Sequence, residues 1–245
     1  MSGQVSPTPR AMRGTIRSRL LVNALVEPDE AAQRLPTGLR PHVVGEGTVV
    51  GCCLLDIGDI RLARLPAVFG RPLRAAAHRI SVEWEDDVGA TAVGVYVPLR
   101  LTDSRAAIAL GGRVFPGVHR RASIELAQGD GHIEWSVDAG AAPGAYSVSV
   151  EASPRDDAQS PCEPIGGTCL NAEIGLSPGH DGVLEAARMM THHRAAHPVD
   201  ISRLDSAFLA SFTSATAAPS YLMRDVDVTW TRERVPQLRD IDARV

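Results

Sequence analysis

The chain has 245 residues, 44% hydrophobic and 22% charged, with a net charge of −4; it can bury one substantial core and is too apolar to stay disordered. Its 25 basic residues are all arginine, and a guanidinium is always protonated, so no side chain can form a Schiff base and the lysine of a phosphate-binding P-loop is missing. No run of about 18 apolar residues predicts a transmembrane helix, no arginine cluster interleaved with aromatics points to nucleic acid, and four cysteines at this length do not make a disulfide framework.

Residues 1–14 carry Pro7, Pro9, Arg10 and Arg13 without an apolar h-region. They read as a flexible arm rather than a secretory signal, and residues 15–245 as a single domain of a cytoplasmic protein. Residues 17–26 are largely branched and apolar and predict a strand. Pro28 suits a first helical position, and Asp29 and Glu30 suit a first turn. A short helix is expected from Pro28 to about Leu35, stopped by Pro36 and Gly38. Residues 48–57 form a near-continuous apolar run, as in a strand covered on both faces. Within it Cys52 and Cys53 are adjacent and point to opposite sides. Residues 58–74, with Pro66, Gly70 and Pro72, read as a loop.

Residues 78–85 alternate, with His78, Ile80, Val82 and Trp84 on one face. Residues 86–90 turn and 91–99 alternate again, completing a hairpin. On its second strand Ala92, Gly94 and Tyr96 share a face whose small residues leave room for a neighbour or a ligand. Residues 103–110 predict a short helix capped by Asp103 or Ser104. A glycine-rich turn at 111–121 leads to a strand at 122–126, with further strands at 132–138 and 146–152. Residues 153–164 read as a mobile loop or lid, 181–190 as a modest helix, and 225–231 as a late strand around Val226, Val228 and Trp230. Many short strands and few helices give an α+β class, mostly antiparallel β, built as a barrel or sandwich.

Several stretches resemble the acetoacetate decarboxylase-like superfamily. Residues 20–41 (Leu-Leu-Val-Asn-Ala-Leu-Val-Glu-Pro-Asp-Glu-Ala-Ala-Gln-Arg-Leu-Pro-Thr-Gly-Leu-Arg-Pro) are similar to its opening strand, helix and leucine-proline turn. The hairpin at 78–100, the segment 102–121 with its Phe-Pro-Gly-Val-His, and Tyr221-Leu-Met-Arg-Asp-Val resemble a branch that lacks the Schiff-base lysine. The likeness spans most of residues 16–232. It implies a β-rich cone or barrel with a central pocket, a few short helices, and a homo-oligomer, dimer or larger. The decarboxylase's paired lysines follow a proline that corresponds to Pro116, and here Gly117 and Val118 stand in their place. Its glutamate falls near His78 or Arg79. Its first-strand arginine is matched by Arg17, or by Arg19 if the register slips by two. The resemblance therefore implies the fold without the imine-forming activity.

His78 is expected to be buried and neutral, which suits a general base; a hydrogen-bonded core histidine is the competing reading. His119 follows the turn where the family's pocket lysines lie and is a second proton donor or acceptor, or else a surface histidine beside Arg120 and Arg121. Arg17, Arg105 and Arg113 are candidate partners for a carboxylate or enolate, because guanidinium offers a planar fork to two oxygens. Tyr96 can donate to a carbonyl oxygen, though a buried, satisfied tyrosine is commoner. His192, His193 and His197, taken with Cys162, Cys169 and His180, match neither a standard zinc spacing nor HExxH, so no metal is expected. Dinucleotide and G-x-S-x-G fingerprints are absent, and no cofactor is expected.

These readings lead to a small-molecule enzyme of lyase or isomerase type. The reaction would be non-imine decarboxylation, dehydration or cyclisation of a carbonyl- or carboxylate-bearing, polyketide-like compound. His78 and His119 would move protons in one pocket while Arg17 holds developing charge. The alternatives are a non-catalytic ligand-binding or sensory protein on the same barrel, and an oligomeric structural protein whose pocket its own side chains fill. No membrane or nucleic-acid partner is expected.

Overall fold

The structure, a computed structural model, describes residues 11–112, 115–129, 131–142, 144–155, 172–191 and 196–235. Strand β1 (Met12–Val26) leads through helix α1 (Pro28–Ala32), β2 (Arg40–Pro41) and β3 (Val43–Val44) to β4 (Gly47–Leu62). A 3-10 turn at Ala67–Phe69 precedes β5 (Arg71–Glu85), and a tight turn joins that to β6 (Thr91–Thr102). In this turn Asp86 Oδ1 accepts from the N–H groups of Val88 and Ala90 and Gly89 has a φ of 79°, which is the local chemistry that reverses the chain. Helix α2 (Arg105–Leu110) begins at Ser104, whose hydroxyl accepts from the Ala107 N–H at 3.3 Å. Then come β7 (His119–Arg121), β8 (Ser123–Gly129), β9 (His132–Asp138), β10 (Val148–Pro154), β11 (Ile174–Pro178), β12 (Leu184–Thr191) and β13 (His197–Ser206). A four-residue helix, Ala207–Ala210, precedes the last strand, β14 (Thr216–Glu233).

The strands β1, β4, β5, β6, β11, β12 and β14 are neighbours in that order, and β14 pairs back onto β1, so they close a barrel. Pairing around it is antiparallel except between β6 and β11. Closure leaves no unpaired edge on this part of the sheet. From β14 the sheet continues through β13, β10, β9 and β8, and this layer folds over the outside of the barrel wall. The main core lies between them: Val22, Cys52, Leu54, Ile80 and Trp84 of the wall pack with Ile133, Trp135, Val148 and Val150 of the cover. A second apolar cluster lies inside the barrel and includes Leu21, Cys53, Ile57, Tyr221, Met223, Val228 and Trp230. The two-sided burial of β4 follows, since Cys52 and Leu54 face one cluster and Cys53 and Ile57 the other. The expected class, α+β and mostly antiparallel β, is what the structure has.

Three irregularities decide which side chains enter the barrel. Ile16 of β1 pairs with Ile57 of β4, but Ser18 pairs with Asp56, so Arg17 is an extra residue. Ile16 points inward before that bulge, and Arg19 and Leu21 do after it. β14 changes parity at the same level: Tyr221 and Met223 point inward, Asp225 takes a φ of 52°, and Val226, Val228 and Trp230 then point inward. Aspartate tolerates this left-handed region better than most residues. On β6, Tyr96 pairs with Ile80 and Leu99 with His78, which inserts one residue near Pro98. Val95 and Val97 before the insertion and Arg100 after it consequently gather around Gly175. Bulges of this kind re-aim side chains without ending the strand.

Several expected boundaries change. β1 starts inside the supposed arm because Met12 already pairs with Trp230 and Leu62. The supposed loop at 58–74 is largely strand: a register shift between Ile57 and Ile60 absorbs Gly58 and Asp59, and β5 resumes at Arg71. The segment expected as a helix at 181–190 forms β12 instead. Its Ala and Met residues favour helix, but its backbone is held between β11 and β14, with Met189 opposite Trp230, and tertiary pairing overrides propensity. Of the supposed lid, Ser153 and Pro154 belong to β10, and 156–164 lie outside the described residues. No helix among the described residues is long and apolar enough to cross a membrane.

Candidate active site

The barrel interior opens where β4 and β6 end and β5 begins. Leu55, Ile57 and Ile60 of β4, Leu73 and Ala75 of β5, Trp230 of β14 and Phe115 line a chamber of about 380 Å³, over which α2 presents Ala106, Ala107 and Leu110. Arginines 61, 71 and 100 also line it, and no aspartate or glutamate among the described residues does. Arg61 is paired with Asp59, and Arg71 is exposed at the rim.

Arg100 lies deeper. Its Nε–H donates to Ser177 Oγ at 2.7 Å, and its guanidinium stands 5.7 Å from the centre of the Phe115 ring. Burial pulls its pKa down to about 10, against the pull of Cys53 and Glu185, so it remains a cation at neutral pH. His119 faces the same chamber, and its backbone pairs with that of Arg100 across β6 and β7. Its Nδ1 is 3.0 Å from the Gly117 carbonyl oxygen. A carbonyl can only accept, which assigns the proton to Nδ1 and the lone pair to Nε2. Burial, and then the charge of Arg100, lower the His119 pKa to about 4, so the ring is neutral at pH 7.

Gly117 holds the pair in place. Its φ is 84°, and a Cβ there would lie 2.6 Å from Ser177 Cβ and 3.1 Å from Arg100 Nε. Its N–H donates to Glu185 Oε2 at 2.7 Å, while Glu185 Oε1 accepts from Arg232 Nη1 at 3.1 Å. The side chain of Arg100 thus occupies the space into which a residue at 117 would project.

Two further arginines point into the barrel beyond the chamber. Arg19 is 5% exposed, and its Nε–H donates to Cys53 Sγ at 3.3 Å and its Nη1 to Met223 Sδ at 3.8 Å. Arg79 is 2% exposed and donates from Nη2 to Asn23 Oδ1 at 2.6 Å, with Nε left without an acceptor. Among the described residues none of the three inward arginines makes an ion pair with a carboxylate. Holding cations away from water with no carboxylate in contact costs free energy, and Glu185 offsets it for Arg100 only from a distance, so an anion entering the interior would be stabilised.

His78 does not share this chamber, which corrects the expectation of two histidines in one pocket. It is fully buried on the opposite face of β5, its ring 5.0 Å from that of Phe208 and 5.6 Å from that of Tyr146. Its Nε2–H donates to the Tyr146 carbonyl at 2.8 Å, and Nδ1 accepts from the Cys52 thiol at 3.3 Å. Burial lowers the His78 pKa to about 4 and raises that of Cys52 to about 11, so the two form an uncharged core pair, not a thiolate–imidazolium dyad. The apolar face read from the sequence is the one that meets the covering sheet.

Arg17 is also displaced from its expected role: it is the bulged residue of β1, over half exposed, 3.9 Å from Asp56. Arg19, the alternative register, takes the inward place. Tyr96 is 3% exposed and joins the main core, and Arg105 is exposed on the first turn of α2 away from the lining. Arg113, His192, His193, Cys162 and Cys169 lie outside the described residues. His197 begins β13, and His180 Nε2 lies 3.2 Å from the Gly111 carbonyl oxygen. No group of three or more His, Cys, Asp or Glu placed to hold a metal occurs among the described residues. Arg100 escapes sequence reasoning because strict alternation from Val97 puts Leu99 in the interior; Pro98 is the sole hint of a break.

The chain shares its fold with solved acetoacetate decarboxylases and related enzymes. An acetoacetate decarboxylase from Legionella pneumophila superposes with a TM-score of 0.62 at 15% identity, over 96% of this chain and 92% of that one. The enduracididine biosynthesis enzyme MppR, complexed with the condensation product of pyruvate and imidazole 4-carboxaldehyde, gives 0.61 at 13%, over 98% and 93%. An acetoacetate decarboxylase-like enzyme from Sphingomonas wittichii RW1 gives 0.63 at 12%, over 97% and 95%. No protein-family model matches the chain, and no curated protein matches its sequence. At these identities the fold is what is shared, and the site stands on its own geometry.

Proposed function

We propose that this protein is a small-molecule enzyme of lyase or isomerase type acting on a carbonyl-bearing carboxylate without an imine intermediate. One observation carries this: Arg100, a buried cation in no ion pair with a carboxylate, stands beside a neutral His119 on the wall of a mostly apolar chamber. Loss of a proton, or of CO2 from a 3-oxo acid, at the carbon next to a carbonyl leaves an enolate. A fixed guanidinium in a mostly apolar chamber stabilises that charge where an iminium would otherwise absorb it. His119 Nε2 is the acceptor for a proton leaving carbon and the donor that returns it. An anion resting on Arg100 offsets part of the field that lowers the His119 pKa, so binding itself makes the base stronger. The structural neighbours, a decarboxylase and an enzyme that holds a pyruvate adduct, support this reading.

A second reading, a ligand-binding protein on the same barrel, has its own support, because a histidine with a pKa of about 4 is a weak base. A panel of 3-oxo and 3-hydroxy acids, followed by mass spectrometry with wild type and His119→Gln, separates the two. Conversion of one class by wild type and a loss of about 10²–10⁴ in kcat/KM in the folded variant are expected. An undiminished rate in the variant overturns the role of His119, and a bound acid recovered unchanged favours the binding protein.

A further inference from the structure

The chamber also restricts what kind of carboxylate it can hold. We infer that its ligand is an amphiphilic acid, a medium-chain or aryl carboxylate, with its head on Arg100 and its body against Leu55, Leu73, Phe115 and Trp230. This deepens the function proposed above and rests on its assignment of the chamber as the ligand site.

The argument is one of charge and shape. Of the three lining cations Arg61 is already paired with Asp59 and Arg71 lies at the rim, which leaves Arg100 as the buried one without a carboxylate. Most of the lining is aliphatic or aromatic, with Thr102 and Ser104 besides the arginines and His119, and no acidic group lines it among the described residues. A cationic or strongly polar body would therefore lose its hydration there without compensation. The volume of about 380 Å³ falls within the range of roughly 300–1,000 Å³ seen for sites that take drug-sized molecules. A four-carbon acid would reach Arg100 but leave most of the apolar wall wet. Ala106 and Ala107 of α2 also line the chamber, and their short side chains leave space for a longer body.

Calorimetric titration of the intact protein with butanoate, hexanoate, octanoate and 3-phenylpropanoate tests this, since none of these probes needs to react. Affinity should rise about three- to fourfold per added methylene, as expected for burial of each CH2, until the chamber is full. Octanamide should bind at least tenfold more weakly than octanoate, and Arg100→Met should abolish that difference. Ala107→Phe should truncate the series, weakening octanoate while sparing butanoate, and it checks the proposal even if Arg100→Met fails to fold. Equal binding of butanoate and octanoate, equal binding of acid and amide, or indifference to Ala107→Phe would each overturn it. His119→Gln should keep the whole affinity series, so loss of turnover there tests the enzyme reading separately from the ligand class.

Discussion

His78 and His119 each carry a proton on one ring nitrogen and a lone pair on the other, and burial holds both uncharged at neutral pH. The consequence for stability follows from linkage. An imidazole that titrates near 4 when folded but near 6.5 when unfolded binds its proton in that interval only if the chain opens. The stability it contributes is complete above pH 6.5 and is lost as pH falls from there toward 4. For the fully buried His78 the loss is on the order of 3 kcal/mol. Urea unfolding should therefore show a midpoint that falls steeply between pH 6.5 and 4.5. His78→Gln should lower stability at pH 7.5 by about 1–3 kcal/mol, through the bonds to Tyr146 and Cys52, yet flatten the acid limb and leave kcat unchanged. A variant that unfolds like wild type but has lost turnover would return His78 to the chemistry.

At the scale of elements, strands that change parity build the site, and the loop before β7 adds Phe115 and Gly117. The bulge at Arg17 turns Arg19 inward and the insertion near Pro98 turns Arg100 inward. The hairpin of β5 and β6, the two-sided β4 and the late strand around Val226 were all legible in the sequence, because apolar spacing alone specifies them. The bulges were not, since a residue count carries no mark of where a partner strand skips one. That is why Arg100 does not read as a pocket residue, whereas His78 reads as one because it lies on the apolar face of β5, which meets the covering sheet and not the chamber. β12 was illegible for another reason, its helix-favouring composition being overruled by pairing on both sides. Gly117 is where this scale can be tested. A Cβ at that position meets Ser177 and Arg100, and its φ of 84° is strained for any L side chain. Gly117→Ala should retain the β-sheet circular dichroism, lose about 1–2 kcal/mol of stability, and weaken octanoate binding more than tenfold because Arg100 must move. Unchanged affinity in this variant would show that Arg100 is not held by the turn.

Across the whole molecule, charge is sorted by depth. The chain is net acidic at −4, yet the barrel interior receives Arg19, Arg79 and Arg100 and, among the described residues, no carboxylate that pairs with them. All of these cations are arginine, which separates this barrel chemically from one that works through an amine. A lysine in such a site can lose its proton and attack a carbonyl, whereas a guanidinium stays protonated and can only bind and stabilise. In the function proposed above, carbonyl chemistry runs through an enol or enolate held by charge, with no iminium. Reduction with sodium cyanoborohydride in the presence of pyruvate or acetoacetate, followed by intact-mass measurement and peptide mapping, tests this directly. The expected result is no adduct on any side chain, with reductive alkylation confined to the terminal α-amino group. The same treatment should leave octanoate binding undiminished, because no reducible bond forms in the chamber. A reduced adduct mapped to a chamber peptide would show that the carbonyl bonds covalently to a nitrogen there, and the electrostatic account of Arg100 would fail with it.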